Sequence, residues 1–305
     1  MQYIVQHDKM GLISTLFSIL FSILVIALII WIVVYPEPLK PILSLFYPLV
    51  EYEANANATK TGTQTFYTTA GTSNTKLVVI FIGGGGMYST PSGAYGFANQ
   101  LNTLLGQDYD ILLFSYPVRF KNTILDTMLA INKILKNYLH YTTIHAVGIS
   151  FGSLLAGAFY QKEMSSTKAT AMKVPQIGMQ FASLGIFSGL LECTFNAELA
   201  TTLFNYYIMR DTPSTINYTC YGMSIPKYVV SANSDFLVAQ TAKFLQQEQC
   251  EYKIYSTKNL PHAFSQYINL PDAIDSIENY SKFVVKVDTA VSMRSAKANV
   301  RNLVS

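Results

Sequence analysis

Charge is scarce in this sequence, and the means of crosslinking it are scarcer. Asp, Glu, Lys and Arg make up 13% of the 305 residues, where an ordinary soluble protein carries about 25%. The net charge of +3 and a pI near 8.5 are too mild for the basic face that holds a polyanion, so no nucleic-acid partner is expected. Cys193, Cys220 and Cys250 form no C-x-x-C pair. That spacing argues against a zinc site and a dense disulfide framework, and leaves either one bridge or three thiols. The chain has no internal repeat, no G-x-G-x-x-G and no G-K-[S/T] after its glycine run, so a nucleotide-binding loop is not indicated. No metal or cofactor is called for.

Apolar side chains are what the sequence has in quantity, at 50%. From Gly11 to Tyr35 there is no charge at all. As a helix these residues would reach roughly 37 Å, enough to cross a hydrocarbon core of about 30 Å. A cleaved signal peptide would have an apolar region of about 7 to 15 residues and a small-x-small site. Here Trp31, Tyr35 and Pro36 follow instead, as in the interfacial belt of a permanent span. Residues 1–10 therefore read as a short tail, 11–35 as a transmembrane anchor and 36–65 as a linker punctuated by Pro36, Pro38, Pro41 and Pro48. Residues 66–290 read as one folded domain and 291–305 as a C-terminal tail.

Flanking charges favour neither orientation strongly, since Lys9 sits beside Asp8 and Lys40 is close to Glu37. Three N-x-S/T sequons, at Asn57, Asn217 and Asn279, all follow the apolar segment and are candidate N-glycosylation sites. They point to a type II protein of the endoplasmic reticulum or secretory pathway, with its folded domain in the lumen.

Within that domain, short continuous apolar runs alternate with longer helical patterns, as in a mostly parallel sheet with helices on both faces. The runs predict strands at Lys76–Ile82, Asp110–Tyr116, Thr143–Ile149, Gln176–Phe187, Lys227–Ala232 and Glu251–Ser256. Helices are predicted at Ala94–Leu105, Ile124–Leu139, Phe151–Gln161, Phe236–Gln247 and Asp272–Val287. The segment 190–223 fits the alternation poorly and reads as an insertion that could form a lid.

Gly148-Ile149-Ser150-Phe151-Gly152 closes one predicted strand and opens a helix. Flanking glycines let such a turn be sharp enough to expose the serine oxygen, which marks Ser150 as a candidate nucleophile. Gly83-Gly84-Gly85-Gly86 follows the strand that starts at Lys76. Backbone N–H groups of Gly84 and Gly85, with that of Phe151, could approach a developing oxyanion there without a Cβ in the way. The sequence has four histidines. His7 precedes the apolar segment, His145 lies inside the strand that presents Ser150, and His140 belongs to a turn. His262 follows the last predicted strand, where a loop can reach the serine. Asp235 follows the strand between them and is the candidate for orienting its imidazole, with a helix-capping role or the rival acids Asp272 and Asp275 as alternatives. The chain order Ser150, Asp235, His262 is that of a G-x-S-x-G strand-to-helix site.

On these motifs the chain, from about Lys76 to Val285, resembles the α/β-hydrolase superfamily. The likeness is to its hormonesensitive-lipase-like branch, with the arylacetamide deacetylases and steryl acetyl hydrolases. Asp235-Phe236-Leu237 and Pro261-His262-Ala263-Phe264 carry the likeness most specifically. The resemblance implies a serine hydrolase for lipophilic carboxylic esters, with acetyl or short acyl groups, held at a membrane. Three departures stand out: Ile82 or Gly83 takes the place of the family's histidine before the glycines, the elbow reads G-I-S-F-G, and Ser115-Tyr116-Pro117 replaces D-Y-R. A non-catalytic binding protein on the same fold, or a thioesterase or peptidase with the same triad, would use the same scaffold.

Overall fold

A computed structural model describes residues 20–24, 27, 52–84, 91–117, 122–164, 180–192 and 219–304. The chain divides into two units, Met1–Phe46 and Tyr47–Ser305. In the first, Leu20–Leu24 and Ala27 are helical and exposed. The remainder of the 11–35 anchor and residues 36–51 of the linker lie outside the described residues. Among the described residues no helix is long and apolar enough to cross a membrane.

The second unit is built on an eight-stranded sheet of order β1-β2-β4-β3-β5-β6-β7-β8. The strands are β1 (Ala58–Thr61), β2 (Gln64–Tyr67), β3 (Lys76–Phe81), β4 (Tyr109–Phe114), β5 (Thr143–Ile149), β6 (Ser183–Phe187), β7 (Lys227–Ala232) and β8 (Glu251–Tyr255). From β4 to β8 all neighbours pair in parallel, while β1 pairs with β2 and β2 with β4 antiparallel. Successive residues of a strand face opposite sides of its sheet. In β3 every residue from Leu77 to Phe81 is buried, so both faces are covered.

The helices are α1 (Tyr95–Leu105), α2 (Ile124–Leu135), α3 (Phe151–Met164), α4 (Val238–Gln247) and α5 (Pro271–Val304). Thr123 starts α2 with a capping box, accepting from the Asp126 N–H while Asp126 accepts from the Thr123 N–H. Helices α1 and α5 pack on each other and on the sheet, and α3 packs on β3, β5 and β6. Phe187 at the end of β6 is wedged edge-on between Phe97 of α1, 4.9 Å away between centroids, and Tyr280 of α5, at 5.5 Å. Edge-to-face contacts of this kind add about 0.5–1.5 kcal/mol to burial and fix where β6 ends.

Several boundaries differ from those read in the sequence. The sheet begins at Ala58, inside the span assigned to the linker; the edge strand β1 and its neighbour β2 are short and carry no continuous apolar run. Helix α5 continues to Val304, through the span 291–305 read as a tail. β6 starts at Ser183 rather than at Gln176, which is outside the described residues. Most of the proposed insertion 190–223 also lies outside them. Its two ends meet, with the Cys220 N–H donating to the Leu191 C=O at 3.1 Å. Cys220 is buried and Cys250 half-buried, both as free thiols.

Near the N-terminal ends of the parallel strands a buried polar cluster ties α5 to the sheet. His145 of β5 is fully buried, with Nδ1 2.7 Å from Ser183 Oγ and Nε2 3.1 Å from Asp288 of α5. Asp288 also accepts from the Tyr109 hydroxyl and pairs with Lys76 Nζ at 3.0 Å. Burial opposes ionisation of Asp288, but its bonds with His145, Tyr109 and Lys76 outweigh this and hold the carboxyl well below the usual range.

Candidate active site

Four loops converge beyond the C-terminal ends of β3, β5, β7 and β8, the edge at which open parallel sheets hold their ligands. Ser150 stands between β5 and α3 with φ of 53°, a left-handed backbone that a residue with a Cβ adopts only under constraint. The constraint is visible. Its N–H donates to the Phe187 C=O at 2.9 Å, and its C=O accepts from Ser153 N–H and Leu190 N–H, both at 3.0 Å. The glycines on either side are required by close approach. A Cβ at Gly148 would lie 2.2 Å from Ser153 Cα, and one at Gly152 would lie 2.0 Å from the Phe81 carbonyl oxygen.

The loop after β8 brings in His262, and Ala263 directly after it has φ of 55°. His262 Nε2 lies 2.8 Å from Ser150 Oγ, although 112 residues separate them. Its Nδ1 is 3.0 Å from both carboxylate oxygens of Asp235. Asp235 lies in the turn after β7, is 2% exposed, and accepts from the Leu237 N–H at 2.9 Å. Burial raises its pKa, but His262, the Leu237 N–H and the nearby Ser188 hydroxyl outweigh burial and hold the carboxyl below its ordinary range. A carboxylate kept ionised against the Nδ1 side of an imidazole leaves Nε2 as the acceptor facing the serine.

Asp235 thus shapes its own turn and meets His262 at once. The rival acids are elsewhere: Asp275 bonds Lys253 Nζ at 2.5 Å and the Tyr255 hydroxyl, and Asp272 opens α5. A second Ser-His-Asp chain, Ser183–His145–Asp288, has its serine and histidine wholly buried and offers no hydroxyl to a substrate.

The glycine turn after β3 lies against the elbow, since a Cβ on Gly83 would come within 3.1 Å of Ser150 Cβ. Gly84 has φ of 103°, and Gly85 lies outside the described residues. The Phe151 N–H sits in the first turn of α3, the end of a helix that favours negative charge. Of the sequons, Asn57 is exposed, with its side-chain amide donating to Asn102 Oδ1 at 3.0 Å. Asn279 is inside α5, donating to the Asp275 C=O at 2.7 Å, while Ser281 is buried. Asn217 is outside the described residues.

Three contributors were not legible beforehand. The Phe187 C=O and Leu237 N–H act through backbone atoms that every residue possesses, so no residue type betrays them. Phe236 was seen as part of a motif, but not that its exposed ring lies 4.4 Å from the His262 ring between centroids.

No protein-family profile and no curated protein matches the sequence. Solved structures do match in shape. An esterase/lipase from an uncultured bacterium superposes with a TM-score of 0.59 at 13% identity, covering 83% of this chain and 92% of its own. A hormonesensitive lipase from a metagenome library gives 0.59 at 18%, covering 77% and 86%. Esterase B from Lactobacillus rhamnosis, inhibited by a tributyrin phosphonate, gives 0.62 at 17%, covering 82% and 87%. At these identities the likeness establishes the fold, which is that of the α/β-hydrolases.

Proposed function

We propose that this α/β-hydrolase-fold chain is a serine hydrolase that cleaves carboxylic esters of lipophilic molecules through an acyl-enzyme. The observation that carries the reading is the unbroken contact from Asp235 through His262 to Ser150 Oγ on a strained turn. Ser150 Oγ attacks the ester carbonyl carbon while His262 Nε2 takes its proton. The carbonyl electron pair moves onto oxygen, which meets the N–H groups of Phe151 and Gly84, with Gly85 as a further donor. Collapse expels the alcohol oxygen, to which His262 returns the proton. A water then gives its proton to His262 and attacks the acyl carbon; collapse of this second intermediate breaks the bond to Ser150 Oγ, to which His262 returns the proton, and a carboxylic acid leaves. Asp235 holds the imidazole tautomer and offsets its charge in both halves.

The exposed Phe236 ring beside His262 supports an apolar leaving group, because it offers an apolar surface next to the base that protonates that group. The charge-free stretch from Gly11 to Tyr35 supports a membrane-held chain, and the sequons support a lumenal, type II placement. On this reading the acyl group is short, acetyl among them, as in the arylacetamide deacetylase and steryl acetyl hydrolase branch.

The decisive experiment is fluorophosphonate labelling of membranes carrying wild type, Ser150→Ala or His262→Ala. Labelling of wild type that disappears in both variants is expected. An unlabelled but folded wild type would leave a non-catalytic binding protein. Retention in the pellet through an alkaline carbonate wash tests the anchor, and a wild type whose mobility is changed neither by glycosidase treatment nor by Asn57→Gln, Asn217→Gln or Asn279→Gln would refute lumenal placement.

A further inference from the structure

The glycine turn after β3 has no side chain with which to fix its own peptide planes, yet two successive carbonyls in it are held. Tyr116, 5% exposed and just beyond β4, donates its hydroxyl to the Ile82 C=O at 2.7 Å, with the Gly83 C=O also in reach at 3.0 Å. In a planar trans peptide the C=O and the following N–H point in opposite directions. A carbonyl turned toward Tyr116 therefore turns the next N–H away from it.

Sheet order says what stands on that far side. β4 flanks β3 on one edge and β5 flanks it on the other, and Ser150 tops β5. Gly83 itself lies against Ser150, as the 3.1 Å approach of a hypothetical Cβ shows. The geometry points to Tyr116 as a positioning residue that sets the glycine turn so that the Gly84 N–H faces the oxygen of the carbonyl under attack. This rests on the hydrolase reading. In this role Tyr116 acts through the turn.

Tyr116→Phe keeps the buried ring and removes only the donor. The measurement is hydrolysis of p-nitrophenyl acetate, with kcat expressed per active site titrated by the fluorophosphonate, beside a thermal melt. A fall in kcat of roughly 10- to 100-fold with KM within about threefold is expected, because a poorly aimed N–H fails the oxyanion more than the ground-state carbonyl. A variant that melts as wild type does but labels no site supports the same role in stronger form.

Unchanged kcat per site overturns the proposal. So does a raised KM with kcat intact, which would place Tyr116 against substrate, or a loss of cooperative melting, which would make it a folding residue. A wild type that neither labels nor hydrolyses ends the hydrolase reading itself, so the two failures are told apart.

Discussion

At the scale of single residues, the candidate site divides into groups that a sequence can display and groups that it cannot. Serine chemistry needs a rare base, and with four histidines in the chain the order of Ser150, Asp235 and His262 could be read before any coordinates. The Tyr116 hydroxyl could not, since a tyrosine after an apolar strand is ordinary and its partners are two backbone oxygens. Asp235 carries the sharpest test here. Replacing it by Asn preserves shape but puts a donor against Nδ1, and kcat for p-nitrophenyl acetate should fall by about 10³- to 10⁴-fold. A loss under tenfold would mean that another group orients His262. Phe236→Ala should leave acetyl turnover on a small alcohol nearly unchanged but raise KM several-fold for bulky apolar leaving groups, because the exposed ring faces solvent beside His262. Equal KM across both alcohols would remove Phe236 from the substrate path.

Among the elements, those that were legible are those buried on both faces. β3, β4, β5 and β7 appear as continuous apolar runs because helices cover both sides of the sheet. β1 and β2 escaped notice because Ala-Thr-Lys-Thr, at the sheet edge, and Gln-Thr-Phe-Tyr, beside it, are four-residue strands without a continuous apolar run, a pattern shared by many turns. The stretch of α5 beyond Val287 escaped for a related reason: its composition turns polar and leaves no apolar stripe to follow. The junction of β5 and α3 is the element most constrained by packing. Gly152→Ala would drive a methyl into the Phe81 carbonyl, a backbone atom that cannot move aside. The expected cost is roughly 3 kcal/mol or more, with esterase activity lost. A urea midpoint equal to wild type would show that β3 and α3 are less closely apposed than described.

For the whole molecule, acid stability draws on carboxylates held below their ordinary range, among them the buried Asp235 at one end of the sheet and the buried Asp288 at the other. An acid depressed by folding contributes stability that is complete above the unfolded value, about 3.9, and is lost as pH falls through the folded value. The thermal midpoint should therefore hold between pH 7 and 5 and fall steeply below about pH 4. Asp288→Asn should lower the midpoint at pH 7 and flatten that fall; an equally steep fall would assign acid sensitivity to other groups. The bond between His145 and Asp288 spans 143 positions of the chain. On the ribosome, β5 leaves the exit tunnel long before Asp288 is made, and until then the imidazole of His145 has no carboxylate to meet. The sheet can gather during synthesis, but the seal on its buried histidine waits for one of the last helical turns. Every nascent chain therefore passes through a period in which Ser150 has been translated and the fold it belongs to does not yet exist.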